Sequence, residues 1–333
     1  MRHDGTNWIA AWPPAYFSLS MATGIIAIAS HLLGHGAIGW LMFTVNLGLY
    51  AGLWCVLAAR LWRFPRNVLD DFCTHNRGAG YLTTVAATSL IGSQCATFGV
   101  GAALLPWILG FALILWLGLL YGFLAVMTLG SERPDVEHGL DGSWFLIVVA
   151  TESLAILGSF VAQRHPGMPA IGFFTFAACL FGGVLYLTLL SMVFFRWMFI
   201  RITSAEMTEP WWINMGAAAI TTLAAARLLG LPQFQALNGF LDPFTVMFWA
   251  TASFWFPLLL ISFTRKYIIE WRNLHYRPGI WSLVFPLGMY AAATETYAAP
   301  TGALFLRPMA EGMYWIALAA WLLGGVGMIV DQG

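Results

Sequence analysis

The side chains of this sequence that could do chemistry lie inside long apolar stretches. Phe285 precedes Pro286, and a proline removes one backbone hydrogen bond and crowds the preceding turn, so we expect a bend just after Phe285. A bend turns the Phe285 ring away from the helix line. An aromatic ring placed that way can plug a narrow conduit and gate it by dewetting. The alternative is an ordinary lipid-facing or core aromatic, one Phe among 25.

Glu152 is an isolated carboxylate within an apolar stretch. A charged side chain at the centre of a membrane span costs about 2.5–3.5 kcal/mol on insertion scales. Glu152 therefore either has a function or packs as a protonated or hydrogen-bonded group beside Thr151, Ser153 or Thr88. An ionised Glu152 would repel anions, whereas a neutral one can act as a proton partner.

Glu295 and Arg227 lie nearer the outer ends of their apolar segments. We expect them to pair with each other, because unpaired charges at membrane depth are costly. The alternative places both side chains in an outer vestibule.

Other motifs do not indicate a catalytic residue, a metal site or a cofactor. The stretch Gly34–Gly39 matches GxGxxG, but it follows an apolar span instead of a strand. His31 and His35 have no matching histidine pair on another span, and the 4 cysteines fall singly. The sequence therefore predicts that the protein is not an enzyme, and a membrane-embedded haem or metal enzyme is the least favoured alternative.

The composition indicates an all-α polytopic membrane protein. The 333 residues are 60% apolar and 9% charged, whereas soluble domains carry roughly 25% charged residues. No basic patch with interleaved aromatics is present, which disfavours nucleic acid as a partner. Ten apolar segments of spanning length fit the chain, at about 14–33, 38–62, 79–98, 102–128, 143–162, 169–199, 210–229, 240–264, 280–299 and 309–330.

The basic residues predict the orientation. Twelve of the 15 Lys and Arg flank the N-terminus or the connections after even-numbered segments, and the other 3 are Arg164, Arg227 and Arg307. By the positive-inside rule both termini are cytoplasmic. We expect a multi-pass protein of the plasma or inner membrane.

A repeat marks the start of each odd-numbered segment. The aromatic residues there are spaced 64, 64, 67 and 69 apart: Phe17, Tyr81, Phe145, Trp212 and Trp281. Such a period predicts five parallel two-helix hairpins in one domain, with odd helices lining an axial pore and even helices facing lipid. The hairpins span approximately 14–62, 79–128, 143–199, 210–264 and 280–330. The pairs Gly48/Gly52 and Gly118/Gly122 are expected to serve hairpin packing ahead of a subunit contact.

Counting from these aromatic residues predicts the pore lining, because steps of three and four return to one helix face. Residues four positions later are Met21, Val85, Val149, Gly216 and Phe285. Residues seven positions later are Gly24, Thr88, Glu152, Ala219 and Gly288.

Two stretches resemble the tellurite-resistance/dicarboxylate transporter family. They are PAYFSLSMATG at residues 14–24 and WSLVFPLGMY at residues 281–290. The family includes plant guard-cell slow anion channels, bacterial tellurite-resistance membrane proteins, yeast malate permeases and fungal sulfite efflux pumps. Glu152 and Glu295 depart from the family pattern.

The resemblance implies five tandem hairpins around a conduit, closed by a phenylalanine that corresponds to Phe285, and commonly a homotrimer. It also implies a channel or transporter for small anions, either C4-dicarboxylates or inorganic anions. The alternative is a proton-coupled carrier of dicarboxylate or sulfite, or a tellurite-related efflux carrier, that uses Glu152.

Overall fold

A computed structural model describes residues 7–130, 134–203, 206–266 and 276–330, which are helical and contain no strand. The all-α prediction is confirmed for these residues. They form ten long helices: α1 Phe17–Leu32, α2 Gly36–Arg63, α3 Thr83–Thr97, α4 Leu105–Leu129, α5 Leu146–Arg164, α6 Pro169–Phe199, α7 Ile213–Leu229, α8 Asn238–Thr264, α9 Trp281–Thr301 and α10 Arg307–Val330.

Eight of these helices are long and apolar enough to cross a membrane by length and composition. The other two are α3 and α9, which are rich in Ala, Thr, Ser and Gly. Nearly all residues of α3 and most of α9 are buried against other helices, so neither needs the apolar surface that a lipid-facing helix requires. The prediction of ten spans stays a prediction.

The helices form an inner and an outer layer. Three of the eight helices are odd-numbered: α1, α5 and α7. In the segments that contain them, 78%, 94% and 89% of the residues are buried. The segments that contain even-numbered helices are 28% to 33% buried. Odd-numbered helices are therefore the inner helices, and even-numbered ones are the outer helices.

The inner helices form a closed ring. α1 packs on α3, α3 on α5, α5 on α7 and α7 on α9, and α9 returns to α1. A 3-10 turn precedes each inner helix, and these turns also contact one another in a ring: Pro14–Tyr16, Ala79–Leu82, Gly142–Phe145, Glu209–Trp212 and Pro278–Ile280. The five inner helices are therefore parallel, with their N-terminal ends together.

Glycines allow the inner helices to approach closely. A Cβ atom on Gly216 of α7 would lie 2.8 Å from Pro286 Cγ of α9. A Cβ atom on Gly288 of α9 would lie 2.9 Å from Ile25 of α1. These are closer than real Cβ contacts, so a larger residue at either position would push two inner helices apart.

Hydrogen bonds from aromatic side chains join each hairpin to the next. Each outer helix packs against its own inner helix and also against the following one. At that second contact a Tyr or Trp of the outer helix bonds a Thr or Asn of the inner helix. We call these the cross-hairpin bonds: Tyr50–Thr88 (2.8 Å), Trp116–Thr151 (2.9 Å), Tyr186–Asn214 (3.1 Å), Trp249–Thr294 (3.0 Å) and Trp321–Thr23 (2.9 Å).

The glycine pairs of the outer helices do not pack the hairpins. No atom lies within 4 Å of a Cβ added to Gly48, Gly52 or Gly118, so these residues are on the outer surface. Only Gly122 of the four is covered, by the ring of Phe72 at 3.3 Å. The hairpin-packing interpretation is therefore wrong for three of the four glycines.

Replacing Thr151 by Val tests the cross-hairpin bonds. The substitution keeps the shape but leaves the buried Trp116 indole N–H without its acceptor, so we expect a loss of about 1 kcal/mol in the free energy of unfolding. Unfolding by SDS titration in mixed micelles measures this loss. Thr188→Val is the control, because exposed Thr188 bonds only a carbonyl of its own helix. Equal stability of the two variants would contradict the prediction.

Candidate functional site

A cavity of about 560 Å³ lies on the axis of the inner ring, at the C-terminal ends of the inner helices. All five inner helices and the start of α10 contribute to its wall. Apolar positions include Ile28, Leu90, Ile156 and Leu223, and hydroxyl positions include Ser93 and Thr97. The charged residues of its wall are Arg227, Glu295 and Arg307. We call it the axial cavity.

Phe285 lies at the floor of the axial cavity. A second space of about 10 Å³ adjoins Phe285, and its wall shares Leu90, Ser93 and Ile156 with the axial cavity. Ala86, Ser153 and Ile220 complete this wall. The Phe285 side chain is only 2% exposed. Its ring therefore points toward α3, α5 and α7 across the inside of the ring, and away from lipid.

Pro286 points to a different neighbour. It packs against Gly216 at the contact between α7 and α9, and α9 is helical on both sides of it. The small residue opposite therefore accommodates the proline ring. The predicted bend after Phe285 stays a prediction.

Most of the other predicted lining residues are at helix contacts. Gly24 packs against Leu90 and Asn46, and Gly216 and Gly288 lie where inner helices meet. Thr88 bonds Tyr50 of the outer helix α2. The remaining positions are buried and line neither cavity: Met21, Val85, Val149 and Ala219. None of these eight residues lines either space, and their place in the pore lining stays a prediction.

Glu152 also lies away from the axis. Its fully buried carboxyl group is beside Cys179 and Gly182 of α6 and Thr221 of α7. No basic side chain among the described residues pairs with it. The next residue, Ser153, lines the space beside Phe285 instead. Because α5 turns the Glu152 side chain toward α6 and α7, Glu152 does not line the axial cavity, and its assignment to the pore wall stays a prediction.

A rotation by one residue separates Glu152 and Ala219 from the residues of α5 and α7 that line the two spaces. Ser153 and Ile156 are 8 and 11 positions after Phe145, and Ile220 and Leu223 are 8 and 11 positions after Trp212. Counting seven positions instead of eight rotates the predicted face by about 100°. The available signal was the recurrence of aliphatic residues at the eleventh position, which Ile28 of α1 shares.

The charged residues of the axial cavity are paired differently from the expectation. Glu295 accepts hydrogen bonds from Arg307 Nε and Nη2 at 2.8 to 3.1 Å. Arg227 donates to Ser159 Oγ at 3.2 Å and Gln163 Oε1 at 2.9 Å. The predicted pairing of Glu295 with Arg227 is therefore wrong. Both side chains line the axial cavity, which agrees with the alternative that placed them in an outer vestibule. Arg307 was missed because it follows α9 across a loop.

The histidines have structural neighbours. His35 Nε2 lies 2.7 Å from Glu311 Oε1, and the ring of His31 packs at 4.8 Å from that of Phe98. Among the described residues, no group of three or more His, Cys, Asp or Glu is arranged to hold a metal ion.

Comparisons with known proteins agree over the whole length of the chain. The profile of the SLAC1 family, described as a voltage-dependent anion channel, matches residues 11–329. An uncharacterized transporter of Methanocaldococcus jannaschii is 23% identical over 333 aligned positions, which cover 95% of this chain and 94% of that protein. A second uncharacterized transporter of the same organism is 25% identical over 324 positions, covering 93% and 90%.

A shorter relative matches part of the chain. An uncharacterized membrane protein of Mycobacterium tuberculosis is 31% identical over 148 residues, which are 44% of this chain and 75% of that protein. The family match spans both stretches that carried the resemblance, so that resemblance is confirmed. With its apolar helices and its ring of inner helices, the chain is an integral membrane protein that belongs to the SLAC1 family of voltage-dependent anion channels and related anion transporters.

Proposed function

We propose that this protein moves small anions through the membrane along the axis of the inner ring, and that Phe285 closes this path. The observation that carries the proposal is the axial cavity, which all five inner helices line and which ends at the Phe285 ring. Anion transport in general follows from the family, whereas the path and its closure are our inference.

The charged side chains of the axial cavity and the helix ends at the opposite mouth favour anions. Two arginines and one glutamate are the charged residues in the wall of the axial cavity, so the wall carries a net positive charge. At the opposite end, the N-termini of the five parallel inner helices come together. Helix N-termini carry partial positive charge, and five of them lower the energy of an anion at that mouth.

The neighbours of Phe285 make an apolar constriction. The ring is next to Leu90, Ile156 and Ile220, and the space left beside it is about 10 Å³. That volume is at or below what one water molecule needs. A hydrated anion therefore cannot pass unless the Phe285 side chain moves, which is how an apolar gate works.

The substrate class, the membrane and the assembly state complete the proposal. Small inorganic anions and C4-dicarboxylates both suit a cavity of this size and charge, with sulfite and tellurite-related oxyanions in the same group. We place the chain in the plasma or inner membrane with both termini in the cytoplasm, because basic residues concentrate on that side. We propose a homo-oligomer, a trimer by resemblance.

Phe285→Ala tests the closure of the path. Removing the ring opens the floor of the axial cavity, and we expect the anion flux into proteoliposomes to rise roughly tenfold, which corresponds to a barrier lowered by about 1.4 kcal/mol. Flux is measured for nitrate, sulfite and malate across a pH series. Phe173→Ala is the control, since Phe173 is 72% exposed on an outer helix. Unchanged flux in Phe285→Ala would refute the gate. Absence of flux in both the wild type and Phe285→Ala would refute the path.

Glu152→Gln separates anion conduction from proton-coupled carriage. The Glu152 carboxyl group lies between α5, α6 and α7, outside the axial cavity, and Gln preserves its shape. We therefore expect the rate of anion uptake and its pH dependence to match those of the wild type within about twofold. A pH dependence that disappears in Glu152→Gln would instead support the proton-coupled carrier and overturn this expectation.

The topology can be tested with an existing thiol. Exposed Cys73 follows α2, on the side that the basic residues assign to the cytoplasm. We expect a membrane-impermeant maleimide to label Cys73 in inside-out vesicles and not in intact cells. Gly167→Cys, in the exposed connection between α5 and α6, should give the opposite pattern when it is combined with Cys73→Ser. The reverse result for both sites would invert the assigned orientation.

A further inference from the structure

Arg227 is the charged residue of the axial cavity that has no acidic partner among the described residues. It lies in the last turn of α7, partly buried, with its guanidinium group stacked on the Phe160 ring at 3.8 Å. Its hydrogen bonds go to two neutral acceptors, Ser159 Oγ and Gln163 Oε1. A guanidinium group has five N–H donors, so three remain for a ligand in the cavity.

The charged neighbour of Arg227 increases this excess of positive charge. Arg164, at the end of α5, is the charged group that acts on Arg227, and it has the same sign. Arg164 donates to the Ala96 carbonyl at 3.2 Å and does not line the axial cavity. Two arginines close together without a carboxylate repel each other, and an anion between them and the cavity would relieve that repulsion.

The second arginine of the axial cavity is neutralised. Glu295 is 4% exposed and binds Arg307 through both of its carboxylate oxygens. Such a bidentate pair presents no net charge, so Arg307 attracts an anion less than Arg227 does. The wall of the axial cavity therefore offers one guanidinium group to an anion, not two.

From this arrangement we propose that Arg227 binds one small planar anion, an oxyanion or a carboxylate, in the axial cavity, and that Glu295 prevents Arg307 from becoming a second binding group. The guanidinium fork matches the geometry of such anions. Conduction needs a site that attracts an anion and still releases it. One available arginine meets that need, whereas two would hold the anion longer.

A structural explanation for Arg227 is that its charge compensates the partial negative charge at the C-terminus of α7. Arg164 occupies the corresponding last turn of α5, so it has the same structural role without access to the axial cavity. Arg164→Gln is therefore a matched control for Arg227→Gln. Each variant removes one arginine from the end of an inner helix, and only the second removes a cavity residue.

Binding is measured first without transport. The purified protein in detergent is titrated with sodium nitrate and, separately, sodium formate, and the melting temperature is followed at constant ionic strength. We expect both anions to stabilise the wild type. In Arg227→Gln the half-saturating concentration should rise about tenfold or more, while Arg164→Gln should match the wild type. Equal titrations of Arg227→Gln and the wild type, equal losses in both variants, or no stabilisation of the wild type would overturn the proposal.

A gain-of-binding variant keeps the test decisive if Arg227→Gln does not fold. Glu295→Gln releases Arg307, so we expect its half-saturating nitrate concentration to fall and its nitrate flux in proteoliposomes to saturate at lower concentration. An unchanged or higher half-saturating concentration would contradict the role of Glu295.

The proposed anion site rests on the proposed function for its physiological meaning, but experiments can refute either one without the other. Stabilisation that depends on Arg227 in a protein without flux would refute transport and leave the site, whereas flux insensitive to Arg227→Gln would refute the site alone.

Discussion

The cross-hairpin bonds are the interaction on which this architecture depends. An apolar solvent offers no partner to a buried indole N–H or phenol, so an acceptor within the protein stabilises such a group. The chain meets this requirement in one way five times, with an aromatic side chain of an outer helix bonded to a Thr or Asn of the next inner helix. The bond between Trp321 and Thr23 joins the fifth hairpin to the first. The ring is thus closed by polar contacts as well as by packing, although helices in lipid gain little from hydrophobic association.

The same requirement explains the composition of the inner helices. Surrounded by other helices, they need small residues that allow close approach, such as Gly216 opposite Pro286, and hydroxyl groups that accept the aromatic donors. Both kinds of residue lower the hydropathy of a segment. This is why α3 and α9 fall outside the helices that composition alone identifies as membrane-spanning, although α9 carries Phe285. Both helices that composition leaves out are therefore inner helices.

The sequence predicted the two layers and the inward position of Phe285, but not the residues that line the axial cavity. The helix class and the placement of odd-numbered helices inside follow from hydropathy and from the repeated aromatic residues, which are all buried at the junction of a 3-10 turn and an inner helix. Which face of each helix points to the axis depends on rotation, and one residue changes it by about 100°. This rotation is why Ser153 lines the space beside Phe285, whereas the adjacent Glu152 points toward α6 and α7. The partner of Glu295 was also missed, because Arg307 reaches it across a connection whose geometry hydropathy does not describe.

The proposed path contains two elements of different kind, a constriction at Phe285 and a positive charge at Arg227. At Phe285 the wall is mostly apolar and leaves almost no space, so the barrier that we propose there is the cost of removing water from the anion, which any small anion must meet. At Arg227 the wall is wide, and a single positive charge acts in surroundings that screen it less than bulk water does. In the proposed mechanism the first element determines whether ions cross, and the second determines the sign of the ions that collect above the constriction. On this proposal Glu152 contributes to neither element, because its carboxyl group lies beside α6 and α7 and outside the axial cavity.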